Sequence, residues 1–146
     1  MGERRQAREL ALQALFYLDM DDPDFGRHDM DGSRSKLADF CDLHQDRISP
    51  GGEPFFSAIV KGVMAGRDRI DGLLNQYSKN WKLSRMPVVD RNIMRIATFE
   101  LLDCPDIPGS VSINEAVEIA KKYGTRDSGP FINGVLDRIF SRQSAE

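Results

Sequence analysis

Cysteine, histidine and tryptophan are all scarce here, with two, two and one among 146 residues, and each scarcity excludes something. Cys41 and Cys104 lie far apart and form no Cys-x-x-Cys pair, which predicts reduced, buried thiols in a cytoplasmic protein rather than a disulfide framework. A zinc site built from His28, Cys41 and His44 would lack a fourth ligand and the paired spacing such sites use, so no metal or other cofactor is expected. No apolar run approaches the roughly 20 residues of a membrane-spanning helix. The opening MGERRQAREL has no apolar stretch behind its arginines to make a secretory signal, and Gln6 stands where myristoylation of Gly2 would want Ser or Thr. Strong basic charge is absent too. A net charge of −3 excludes attachment to nucleic acid by bulk electrostatics, so RNA binding would need a local basic patch or a partner. The sequence has no G-x-S-x-G elbow, phosphate-cradling glycine loop or H-E-x-x-H motif, and no enzymatic activity is expected.

What is present is ordinary for a globular protein: 40% hydrophobic and 29% charged residues, and a length that suits one domain over 1–146. Strand signals are nearly absent, while helical periodicity recurs along the chain. A first helix from about Glu3 to Leu18 carries the apolar stripe Ala7, Leu10, Ala11, Ala14, Leu15 and Leu18. An aspartate-rich stretch from Asp19 to Asp31 fits no EF-hand frame and reads as a solvated connector. Ser33 suits the N-cap of a second helix reaching Ile48. The seven-residue repeat Phe56, Val63, Ile70, Tyr77 predicts one long third element, with Ala58, Gly62 and Gly66 as a small-residue row for close helix approach. Trp81 falls in a short helix or turn before Pro87, and a helix over Val88 to Asp103 follows. Ser112 and Glu115 form a capping box, Gly124 fits the end of that helix, and the last helix starts at Ser128 to Pro130. The sum is an all-α fold of about seven helices.

On the first helix Arg4, Arg5 and Arg8 fall within an arc of about 100°, and Leu12 and Phe16 continue that side. Cations for phosphates and an accessible aromatic for an unstacked base are what single-stranded RNA recognition uses. The plainer alternative is a solvated basic helix start with Phe16 folded into the core. A second candidate is the linker before the last helix. There Asp127 and Ser128 suit capping, and Phe131 lies off the buried face beside polar neighbours. Gly134, mid-helix on the face away from the core, suggests a close backbone contact with another element or a ligand.

Three blocks in order carry a resemblance to a known family. RRQARELALQALF (Arg4 to Phe16), VVDRNIMRIATFEL (Val88 to Leu101) and SINEAVEIAKKYGTRDSGPFINGVLDRI (Ser112 to Ile139) resemble the NusB family of transcription antitermination factors. The resemblance implies two small three-helix bundles packed across each other. It also implies boxA RNA as ligand, the small-subunit ribosomal protein NusE as co-binder, and RNA polymerase with other Nus factors as the assembly, notably in ribosomal RNA operons. By the same match Arg4, Arg5 and Arg8 would contact RNA with Gln13 and Phe16 nearby, Asp127 and Phe131 would add to the surface, and Asp90 would contact NusE. Gln6 stands where some members carry arginine, and Phe16 where some carry tyrosine; both departures weaken intrinsic RNA binding. Three to four phosphate contacts would give a log–log salt slope of about −2 to −3, a loss of roughly 15- to 60-fold between 50 and 200 mM salt. Two alternatives stay open. One is the NusB-like RNA-binding domain that precedes some RNA cytosine methyltransferases, against which the chain's end at Glu146 speaks. The other is a helical homodimer whose surfaces serve only assembly.

Overall fold

The computed structural model describes residues 2–79 and 81–145. Among these residues there are seven α-helices and no strand: α1 Glu3–Asp21, α2 Met30–Leu43, α3 Glu53–Ala65, α4 Arg67–Tyr77, α5 Val88–Asp103, α6 Gly109–Tyr123 and α7 Ser128–Ala145. The chain divides into two compact units, residues 1–67 and 68–146.

In the first unit α1 packs against α2 and α3. Its expected apolar stripe is buried from Ala7 to Leu18, and the helix continues one turn further to Asp21. The connector that follows is not simply solvated. Phe25 is buried, its ring lies under Arg67 at 4.3 Å, and Arg67 donates to the carbonyls of Phe25 and of Pro23, the latter at 3.1 Å. Gly26 takes φ +78°, and a Cβ there would stand 3.0 Å from the Met64 carbonyl oxygen, so glycine is required on both counts.

The cap of α2 is Asp29 rather than Ser33: its carboxylate accepts from the Gly32 N–H at 2.9 Å. Ser33 sits inside the helix, where its hydroxyl accepts from the Gly26 N–H at 2.9 Å and pins the connector. α2 also stops short of Ile48, giving way to a 3-10 turn over Gln45–Arg47. The expected single long element is two helices. α3 ends where the Gly66 N–H donates to the Gly62 carbonyl at 2.9 Å, and α4 begins at once. Apolar spacing marks buried faces and survives such an interruption, so the repeat alone cannot reveal it. Ala58 is exposed, so the small-residue row is not a buried stripe.

In the second unit α5, α6 and α7 pack on one another. α5 has the predicted bounds, and every residue from Asp90 to Glu100 is buried. Buried charge needs a partner. Arg95 meets Asp71 of α4 with two bonds, at 2.9 and 3.2 Å, and its Nη1 donates to Asn92 Oδ1 at 2.9 Å. Glu100 accepts from the Ser112 hydroxyl at 2.8 Å. Ser112 is therefore a tether between α5 and α6 and not a cap: α6 starts one turn earlier, behind Pro108. That early turn places Gly109 against the Phe140 ring, where a side chain would collide. Gly124 closes α6 in an extended conformation (φ −97°, ψ −163°), its N–H bonded to the Ala120 carbonyl at 2.8 Å.

Candidate nucleic-acid interface

The first unit presents the α1 arc. Arg4 is exposed, Arg5 is half-buried and Arg8 is only 3% exposed. The guanidinium carbons of Arg4 and Arg8 both lie over the ring of Phe55 on α3, 5.3 and 5.1 Å from its centroid, so the ring holds both and does not separate them. A cation over an aromatic face is held by the ring quadrupole, more firmly when desolvated. Arg8 thus joins α1 to α3, and Arg4 and Arg5 are the outward cations of the arc. Leu12, on the same line, is buried, whereas Phe16 stands 39% exposed and is not folded into the core. Half-buried Gln13 lines a polar groove of about 440 Å³ beside α1, together with Gln6, Asp46 and Arg47. Phe55 and Arg47 went unmarked in the sequence, because each matters only through what α1 places beside it.

The second unit holds the other candidates. Asp127 is exposed on the linker between α6 and α7. Phe131 is half-buried, its ring 4.9 Å from that of Trp81 and tilted by 58°, and Trp81 is 39% exposed. The linker is fixed by Ser128, whose hydroxyl accepts from the Thr125 N–H at 2.9 Å and donates to Asp90 Oδ1 at 2.8 Å. Asp90 itself is 3% exposed. Burial pushes its carboxyl above the ordinary aspartate value, and the Ser128 bond opposes that rise. The structure thus gives Asp90 an internal position, tying α5 to the start of α7, and not the exposed one a direct NusE contact would need.

A model of the NusB family matches residues 5–141. The chain belongs to the NusB family. Among its relatives is the transcription antitermination protein NusB of Desulforapulum autotrophicum, 59% identical over 95% of this chain and 92% of the relative. A solved structure of T. maritima NusB is 36% identical and superposes with a TM-score of 0.80, covering 94% of this chain and 90% of that one. A structure of antitermination factors NusB and NusE in complex with dsRNA shares the fold, with a TM-score of 0.76 over 97% and 98% of the two chains at 21% identity.

Within this NusB-family fold, Gly134 has no close backbone contact with another element among the described residues: a Cβ there would meet only Arg138 Nη1, at 3.8 Å. Cys41 and Cys104 are half-buried and not buried as expected. No group of three or more His, Cys, Asp or Glu among those residues could hold a metal ion, and none of their helices is long and apolar enough to cross a membrane.

Proposed function

We propose that the protein is a transcription antitermination factor acting in the cytoplasm, which binds boxA-type RNA together with NusE and joins RNA polymerase and other Nus factors, notably on ribosomal RNA operons. The observation that carries this reading is the family match over residues 5–141, joined to 59% identity with a NusB that bears the antitermination name. The solved complex of NusB and NusE with dsRNA supports RNA and NusE as ligands of this fold.

The chemistry agrees. Arg4 and Arg5 offer charge to phosphates, Phe16 offers an exposed π-face, and Gln13 offers an amide to base edges. In the second unit Asp127 and Phe131 take the same part. Arg8 and Asp90 act from behind, the first by holding α1 on Phe55 and the second by holding Ser128. No side chain is assigned a catalytic step; the protein acts by presenting RNA and a ribosomal protein together.

Fluorescence anisotropy with a labelled single-stranded boxA-type RNA, with and without purified NusE, tests the proposal. Binding should tighten when NusE is added, and an Arg4→Ala/Arg5→Ala double variant should lose about tenfold or more in affinity while melting as the wild type does. Equal affinity for a scrambled RNA, with NusE present, would overturn it.

A further inference from the structure

Beside Phe131, the Trp81 ring and one face of α7 take no part in the RNA-binding reading above. Phe131, Gly134, Arg138 and Arg142 follow one another at helical spacing along α7 and share one side of it. Both arginines are exposed. Arg138 is held in place, since its Nε and Nη2 both donate to the Tyr77 carbonyl, at 3.2 and 3.1 Å. Its Nη1 has no hydrogen-bond partner among the described residues and lies beside Gly134, 3.8 Å from where a Cβ would stand, so the missing side chain leaves room next to that nitrogen. Beside this strip Trp81 lies against Phe131 with 39% of its surface exposed, and its indole N–H has no hydrogen-bond partner among the described residues.

We propose that Trp81, Gly134 and Arg138, with Phe131 and Arg142, form a nucleotide platform on which one base of single-stranded RNA stacks against the indole while its phosphate bonds Arg138. The proposal rests on the RNA-binding reading above and adds residues to it. Each part has a chemical reason. Stacking on an aromatic face tolerates any base, because every base has a π-face. A guanidinium anchored through two nitrogens loses little freedom when a third meets a phosphate. Arg142, one turn further, extends the positive line along which a backbone would run. A glycine in mid-helix costs about 1 kcal/mol relative to alanine, and a ligand approaching the bare backbone offsets that cost.

Trp81 is the sole tryptophan, so its emission reports on this face alone. The full chain is titrated with the single-stranded RNA used for anisotropy, both signals being followed, with NusE added in a second series. The platform predicts quenching that saturates with the anisotropy signal. Arg138→Ala should weaken binding about five- to tenfold and make the log–log salt slope shallower by about 0.7, the share of one phosphate on a single strand. Trp81→Ala should weaken it about tenfold, Trp81→Phe should keep most of the affinity, and Gly134→Glu should weaken it while the melting temperature holds or rises. Unquenched emission, with Arg138→Ala and Gly134→Glu binding as the wild type while Arg4→Ala/Arg5→Ala binds poorly, would remove the platform and leave the antitermination reading intact. Variants that lose NusE but keep RNA would make this a protein contact and overturn the proposal. A wild-type chain that binds no RNA in either series overturns both.

Discussion

Arg67 holds the connector between α1 and α2 by bonds to two carbonyls and by lying over the Phe25 ring, and the combination needs a flat guanidinium fork. Arg67→Ala should destabilise the protein by about 5 kcal/mol, the lower sum of two charge-assisted bonds and a desolvated ring contact. Arg67→Lys should recover less than half of that, because an ammonium cannot span both oxygens. Urea midpoints of the three proteins check this, and a fully rescuing lysine would mean that charge alone matters there. Nothing in the sequence near Arg67 announces its role, since its partners are brought in from the other end of the unit. Arg8 teaches the same point from the opposite side. Its spacing groups it with Arg4 and Arg5, but Arg8 lies one turn further into α1 and is buried, while Arg4, over the same Phe55 ring, stays exposed.

Helix bounds followed local chemistry wherever one strong local signal ruled. α5 runs from Pro87 as the proline predicted, and α7 begins at Ser128. Where two signals competed, the neighbour in space chose. Ser33 and Ser112 both look like caps, yet Asp29 and Pro108 lie at the true starts and the two serines bond Gly26 and Glu100. The tie between α5 and α7 has a consequence for pH. The Asp90 pKa is raised in the folded chain by burial, so between the ordinary aspartate pKa and that raised value the native state binds more protons than the unfolded one. Stability contributed at this site is therefore greatest at acid pH and falls as pH rises through that window. Asp90→Asn keeps an oxygen for Ser128 and carries no charge, so it should match or exceed wild-type stability at neutral pH. Its advantage should shrink on acidification, and denaturant melts of both proteins across the acid range would show it. An Asn variant that loses stability at every pH would mean that the charge itself is required.

At the scale of the whole chain, a net charge of −3 leaves RNA binding to a few local cations. On the two proposals above, Arg4 and Arg5 of the first unit and the anchored Arg138 of the second each bond one phosphate, Arg142 adding only to the local potential, and three phosphates on a single strand give a slope of about −2. Affinity should then fall roughly 20-fold between 50 and 200 mM salt. A slope near −3 would return Arg8 to the contact set, and one near −1.4 would remove Arg138; anisotropy across a salt series decides. The helical class and the cationic arc could be read from periodicity and residue type, because both are local properties of the chain. The division at Gly66 and the sorting of cations into buried and exposed could not, because each depends on packing between distant segments.

Gly26 turns this architecture into a matter of heredity. It combines a left-handed backbone with a carbonyl 3.0 Å from where a Cβ would stand. Every one-base change in a glycine codon that replaces glycine with another amino acid adds that carbon. The connector thus contains a position that no single missense step can enter without strain, so only silent changes leave the Arg67 clamp undisturbed there.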